Sequence, residues 1–500
     1  MALKGAARAK EVATLLDAAA THYAQGRLDE AARLYRLAER ADRRDIRAAY
    51  SLAVIDIRAG RAEAARRRLR AIVTHEPGLF AAQQNLGAVC QGLDLWSEAA
   101  DAYGRALTLR PDAAETHFSL ARAQTVLGRT DQAIAAYRAL SVDPTHRPRA
   151  LTLLALLDPA AVDDSELAAL RAAARDAAPE DEVRTGLQFA LGDVLDRRGA
   201  DDQAFAAYAE GNRLKHDALA AGPAAGRPET VAQGHAKTNR FIESLFTADF
   251  IARHSRAGSV STAPIFIIGM PRSGSSLIEQ ILSSHRRVQG LGESGALSRL
   301  TDGGFPGAGQ PDDPAGWRPL AEAYLAAMRG RGWKGAPRFV DKTLENHLRV
   351  GLIHLMFPRA TILHSLRDPV DTCLACFRQL FTTGEQTLYD LREIGEAYVR
   401  YRRMMDHWRE VLPGRVIDVD HEALAADPEG RIRWLVTKAC GLDWDPNCLS
   451  FHETPGAVRT ASAAQVRRPI FQTSIHRWRR YEAHLGPLFE ALGPYAPPSA

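Results

Sequence analysis

Apolar positions in the first two hundred residues follow a helical period, and small residues recur on a longer one. Leu52, Leu86 and Leu120 stand 34 apart, each followed by a small residue: Ala53, Gly87 and Ala121. A second series runs through Glu30-Ala31, Glu63-Ala64, Glu98-Ala99 and Gln132-Ala133, at steps of 33, 35 and 34. Ala38, Ala71 and Ala106 follow the first three pairs at a constant distance, and the fourth slips to Ala139 ahead of Leu140. Pro77, Pro111 and Pro144 close three of the units, where a helix must end. The stretch GADDQAFAAY from Gly199 repeats GRTDQAIAAY from Gly128, 71 residues later, with a degenerate pair between them. Paired helices stacked with this period form a solenoid, which the echo carries to about residue 218.

The pattern changes after AAGPAAGRPE at 220–229, which breaks helical periodicity and reads as a linker. Short β-branched runs follow: PIFIIG at 264–269, RFVD at 338–341, ATILHSL at 360–366 and RVIDVD at 415–420. Longer helical stretches separate them, and that alternation predicts a parallel α/β sheet covered on both faces. The expected organisation is a helical repeat domain at 1–218, a linker and connecting helix at 219–260, and an α/β domain at 261–495.

A chain of 500 residues with 46% hydrophobic and 25% charged residues is an ordinary globular composition, too long for one core. Its 64 basic and 60 acidic residues nearly balance, so neither bulk nucleic-acid nor membrane-surface binding is expected, and an anionic ligand must be met by local charge. The N-terminal sequence has no apolar core of signal-peptide type, and no later segment approaches ~18 apolar residues. Cys90, Cys373, Cys376, Cys440 and Cys448 form an odd, sparse set that fits a reducing compartment. A cytoplasmic location is therefore expected. Cys373-Leu-Ala-Cys376 lacks a second pair at zinc spacing and reads as packing rather than metal or redox chemistry.

The candidate chemistry begins at GMPRSGSS, Gly269 to Ser276, between the first apolar run and an amphipathic helix carrying Leu277, Ile278, Ile281 and Leu282. The two glycines are spaced as in the nucleotide-hydrolase loop GxxxxGK[ST], where successive backbone N–H groups and a helix N-terminus cradle phosphate. Ser275 replaces the lysine of that motif, and the cation nearest the turn is Arg272. One alternative stays open at this point: Asp341, ending FVD ahead of Lys342, could hold Mg²⁺ in a P-loop kinase or nucleotide hydrolase.

The 34-residue period with small residues and a terminal proline resembles the tetratricopeptide repeat. The loop PRSGSS resembles the 5′-phosphosulfate loop of sulfotransferases, in the version found in tyrosylprotein sulfotransferases and in bacterial repeat-containing sulfotransferases. The resemblance implies a P-loop-type α/β sulfotransferase domain with a parallel sheet behind a tetratricopeptide-like α-solenoid. It implies 3′-phosphoadenosine 5′-phosphosulfate (PAPS) as co-substrate, without a metal. Arg272, Ser273, Gly274, Ser275 and Ser276 would then hold the phosphosulfate. Glu293, 21 residues after Arg272, takes the place of the catalytic base, and Lys342, 25 before Arg367, that of the catalytic cation. Arg367 opens the 3′-phosphate element, but the serine usual eight residues later is Ala375, with Ser365 the nearest substitute. Ser462 and Arg477 stand where the family has a cofactor-binding serine and lysine, and His421 stands where it has tyrosine. The acceptor would be a hydroxyl on protein tyrosine, sugar or another molecule. A protein or peptide would bind the repeats, with a homodimer as a further expectation. The departures at Ala375 and His421 keep a second alternative open, a repeat scaffold with a degenerate transferase domain.

Overall fold

The computed structural model describes residues 2–42, 45–178, 182–255, 258–301, 317–381, 385–454, 466–467, 469–470 and 475–498. The chain divides into two compact units between Leu157 and Asp158.

The first unit is a run of antiparallel helices: α1 (Ala2–Ala24), α2 (Leu28–Ala41), α3 (Ile46–Arg58), α4 (Ala62–His75), α5 (Phe80–Gly92), α6 (Trp96–Leu109), α7 (Ala114–Val126), α8 (Thr130–Ser141) and α9 (Arg147–Leu157). Burial follows a 34-residue register more strictly than the sequence reading. Ala31, Ala65, Ala99 and Ala133 have no exposed surface, and Ala38, Ile72, Ala106 and Leu140 are buried at the same interval. Ala64 and Ala71, the expected members of those series, lie one residue out: Ala64 is half-buried and Ala71 exposed. The alanine-rich segment around them offers small residues at adjacent positions, and packing selects the one on the inner face. The turn inside each helix pair needs a left-handed residue, and Gly26, Gly60 and Gly128 supply it at φ 75°, 70° and 75°. Asp94 fills the remaining position at φ 63°, a conformation short polar side chains tolerate.

In the second unit α10 (Asp164–Asp176), α11 (Glu182–Arg197), α12 (Asp201–Ala221), α13 (Pro228–Leu245) and α14 (Ala248–His254) precede the sheet. The expected boundary near residue 218 falls within this unit, at the end of α12. The proline- and glycine-bearing stretch after α12 is brief, since α13 resumes at Pro228 in the N1 position that proline favours.

The sheet is parallel throughout, in the order β2-β3-β1-β4-β5, from β1 (Pro264–Gly269), β2 (Val288–Gly290), β3 (Arg338–Asp341), β4 (Thr361–Leu366) and β5 (Ile417–Asp420). Four strands coincide with the expected apolar runs. β2 does not, because its three residues, Val-Gln-Gly, lie at an edge and carry one apolar side chain. Ile265 and Ile267 of β1 pack on Ile278, Ile281 and Leu282 of α15 (Ser275–Ser283). Phe266 points to the other face, against Tyr324 of α17 (Trp317–Gly330) and Phe357 after α18 (Val350–Met356); α16 (Ala296–Leu300) precedes them. Burying each large apolar side chain of α15 contributes about 1.5–3 kcal/mol, which seats the N-terminus of this helix at the end of β1.

Later helices are α19 (Pro369–Phe377), α20 (Leu391–Val411), α21 (His421–Ala426), α22 (Pro428–Trp434) and α23 (Gly486–Leu492). Chain order reverses at β1, with β3 and β2 to one side and β4 and β5 to the other. In an open parallel sheet that reversal opens a crevice beyond the carboxyl ends of the strands, where ligands bind.

Candidate active site

The crevice is lined by the residues that follow β1, β3, β4 and β5. After β1 the chain turns through Gly269 at φ 151° and Gly274 at φ 102° into α15. A Cβ on Gly269 would meet the Ser365 carbonyl oxygen at 2.8 Å, and one on Gly274 would meet His421 Nδ1 at 2.7 Å. Glycine is therefore needed at both positions, for conformation and for clearance.

The loop is tied to its neighbours by main-chain carbonyls. Ser273 donates its hydroxyl to the Met270 carbonyl at 2.7 Å, Ser365 donates to the Ser273 carbonyl at 3.0 Å, and Arg367 Nη1 donates to the Arg272 carbonyl at 3.1 Å. Ser273 thus braces the loop from within. Ser365, considered as a stand-in for the missing serine, has its one hydroxyl proton committed to the loop. Ser275 is buried in the first turn of α15 and Ser276 beside it is half-buried. Arg272 takes a left-handed φ of 66°, rare for a long side chain, and burial followed by the Arg367 and Arg378 charges holds its guanidinium below the usual range.

Glu293 and Lys342 meet although 49 residues separate them. Lys342 follows β3, is 1% exposed, and places Nζ on Glu293 Oε1. The Glu293 side chain is 60% exposed, so the pair has one buried and one accessible member. Its backbone is anchored on both sides. The Gly292 N–H donates to Glu279 Oε1 at 2.9 Å, and the Lys342 N–H donates to the Gly292 carbonyl at 3.0 Å. The Ser294 N–H donates to Thr343 Oγ1 at 3.0 Å.

Asp341 organises this anchor. It has no exposed surface, and its carboxylate accepts from Ser294 Oγ at 2.6 Å, Tyr324 OH at 2.7 Å, Thr343 N at 3.1 Å and Thr343 Oγ1 at 2.6 Å. A carboxylate offers about four lone-pair sites, and all are engaged by protein donors. The arrangement leaves none for Mg²⁺, which removes the residue from the role that a kinase or hydrolase would require of it.

On the other side of the loop, His421 opens α21 after β5. Burial, with Arg367 adding to it, pushes its imidazole down to about 4, so the ring is neutral near pH 7. Its Nδ1 is buried beside Gly274 with no hydrogen-bond partner among the described residues. A buried ring nitrogen without a partner is costly, and an anionic or hydroxylic ligand in the cradle would satisfy it. Arg477, between the His476 and Trp478 N–H groups that donate to Asp371, contacts the buried Asp196 of α11. Ser462 lies outside the described residues.

Sequence reasoning weighed Asp341 only as a Mg²⁺ ligand and passed over Glu279, Arg378, Asp193 and Asp196. The DK pair at 341–342 was a usable signal for Asp341, whereas the rest are single charged residues on helices, which spacing alone cannot separate from solvated surface. Cys373 and Cys376 are buried, Cys376 Sγ lies 3.4 Å from the Pro271 carbonyl, and burial pushes its thiol up to about 12. Both pack as small apolar residues, as expected. No helix among the described residues is long and apolar enough to cross a membrane.

Residues 264–446 match the model of the sulfotransferase family. An uncharacterized protein of Aquifex aeolicus (strain VF5) is 32% identical over 346 residues, which are 66% of this chain and 44% of that protein. Protein-tyrosine sulfotransferase A of Caenorhabditis elegans is 24% identical over 261 residues, 47% of this chain and 66% of its own length. The chain thus spans less than half of the first relative. A solved tetratricopeptide repeat protein from Parabacteroides merdae superposes with a TM-score of 0.35 at 15% identity, covering 46% of this chain and 92% of that one. Residues 264–446 are thus similar to the sulfotransferase family, and the first unit is a run of paired helices whose burial repeats every 34 residues.

Proposed function

We propose that the chain transfers a sulfuryl group from PAPS to an acceptor hydroxyl. The observation that carries this reading is the position of the lysine. A nucleotide hydrolase has its lysine in the loop and a free carboxylate after the neighbouring strand; here the loop has Arg272, the carboxylate of Asp341 is saturated, and the buried lysine meets an accessible glutamate.

The donor supplies an activated sulfuryl group and a phosphate leaving group. Backbone N–H groups of Gly274, Ser275 and Ser276, with Arg272, would hold its 5′ end, and Arg367, His421 and Arg477 its 3′-phosphate end, with Ser462 a further candidate. Glu293 takes the acceptor proton as an O–S bond forms and the S–O bond to the leaving phosphate breaks, and Lys342 offsets the charge that develops on that phosphate. Fixed guanidinium, ammonium and backbone dipoles carry the electrostatics, and no step calls for a metal. The repeat helices are the proposed seat of a protein or peptide, as substrate or partner. Buried free cysteines agree with a reducing, cytoplasmic setting.

Calorimetry with 3′-phosphoadenosine 5′-phosphate (PAP) in the presence of a chelator tests the reading: metal-independent binding is expected, and its absence overturns it. Glu293→Gln should lower PAPS-dependent sulfation of a tyrosine peptide or simple phenol by about 10²–10⁴-fold while PAP still binds. Turnover that survives this substitution would remove Glu293 from the role of base.

A further inference from the structure

The carboxylate that Arg477 contacts lies on α11, ahead of the matched residues 264–446. Asp196 of α11 is 4% exposed and accepts from Arg378 Nη2 at 2.7 Å, from Tyr481 OH at 2.5 Å and from Arg477 Nη2, with Arg480 Nη1 at 3.4 Å. Asp193, one helical turn earlier, accepts from Tyr208 OH of α12 at 2.6 Å and lies 3.9 Å from Arg378. The Arg378 guanidinium stands over the Tyr208 ring, 5.2 Å from its centre. Asn212 of α12 donates to the Phe377 carbonyl at 2.7 Å, fixing the end of α19 on which Arg378 sits.

This cluster reaches the β1–α15 loop. Cys376, two residues before Arg378, donates to the Pro271 carbonyl, and Arg272 lies within the electrostatic influence of Arg378 and Asp193. Arg378 and Arg477 share one Asp196 oxygen, and guanidiniums that close repel one another and would swing toward solvent unless a buried anion held them. Two donors inside the cluster, Arg378 Nε and Arg477 Nε, are buried without a hydrogen-bond partner among the described residues. The carboxylate therefore fixes the arginines without saturating them.

We propose that the helix pair α11–α12 is part of the donor-binding site, with Asp196 as the positioning residue that sets Arg378 and Arg477 toward an anion held by the β1–α15 loop. The inference rests on the sulfotransferase reading and extends it to a helix pair that ends at Ala221, ahead of the matched residues 264–446. Asp196 touches no substrate. It acts by keeping two flexible cations in one geometry, which lowers the ordering cost of binding.

The sign of the effect separates positioning from bulk electrostatics. Removing a negative charge near an anion site should tighten anion binding, whereas removing a positioning group should weaken it. Calorimetric titration of PAP into the full-length chain is expected to give about 10-fold or weaker affinity for Asp196→Asn, partly restored in Asp196→Glu. In an Arg477→Met background the same substitution should have a much smaller effect, because the two act as one unit. Unchanged or tighter binding by folded Asp196→Asn overturns the proposal, as does full additivity with Arg477→Met. If Asp196→Asn fails to fold, Tyr481→Phe, which removes one donor from the same carboxylate, is titrated instead, with weaker binding expected and unchanged binding overturning the proposal. Failure of the wild-type chain to bind PAP would instead refute the sulfotransferase reading itself.

Discussion

In the pair α5–α6 the Tyr103 ring lies over Gly87, where an added Cβ would come within 2.6 Å of it; in α11–α12 the Tyr208 ring lies over Gly192 at 2.5 Å. The two residues are sixteen apart in both pairs, so the helices cross by the same device: a missing side chain that admits an aromatic ring. What surrounds the ring differs. The Tyr103 hydroxyl reaches Gln91 at 3.3 Å, a weak neutral contact. The Tyr208 hydroxyl donates to Asp193 at 2.6 Å and its ring faces Arg378. A repeat's internal packing can thus be retained while a few polar positions pair with buried charges elsewhere in the same unit.

The largest expected difference between the pairs is electrostatic. Arg378→Met would leave Asp193 and Asp196 short of their shared cation and should destabilise the second unit by about 3–5 kcal/mol. Six of the seven tryptophans lie in that unit and Trp96 alone in the first, so denaturation followed by fluorescence in a Trp96→Phe background reads it out. A loss below about 1 kcal/mol would mean that the cluster is not a buried unit.

Next come the glycines themselves. Gly87→Ala and Gly192→Ala each force a methyl against a buried ring and should cost about 1–3 kcal/mol. Only Gly192→Ala should also shift the tryptophan transition and weaken PAP binding; equal effects on PAP from both would break the comparison. Smaller still is the hydroxyl. Tyr208→Phe deprives Asp193 of a donor and should cost about 1–3 kcal/mol, whereas Tyr103→Phe should cost less, by urea midpoints.

The last difference vanishes at neutral pH. Burial pushes His347, His354 and His421 down to about 4, and all three belong to the second unit. Unfolded histidines take up protons below about 6.5 while these stay neutral, so the unfolded state binds more protons between pH 6.5 and 4. Stability of the second unit should be greatest above pH 6.5 and fall as pH drops toward 4. A tryptophan transition that is flat over that window would show these rings to be solvent-accessible.

Much of the fold was legible because it rests on periodic burial. The 34-residue spacing, the β1 run and the amphipathic face of α15 each commit apolar side chains to one side of an element, and a pattern of that kind is written along the chain. Register was less legible: Ala64 and Ala71 were read where Ala65 and Ile72 are buried, because alanine is too common there to mark a single position. The candidate site was legible where local backbone geometry forces residue choice, as at Gly269 and Gly274, and where charged residues follow strands, as at Lys342 and Arg367. It was not legible at Ser365, whose hydroxyl is taken by a carbonyl that only the fold brings near, nor at Asp341, whose saturation depends on Tyr324 and Ser294.

The sequence by itself determined the two kinds of architecture and the composition of the anion loop, since both depend on contacts between residues close in the chain or on a repeated period. Only tertiary structure decided which charges face one another. Lys342 finds Glu293 across 49 residues, and Arg477 finds Asp196 across 281. A carboxylate on a helix has the same one-dimensional context whether it faces water or a buried guanidinium, and the free energy that separates those cases comes from desolvation and pairing after the helix has packed.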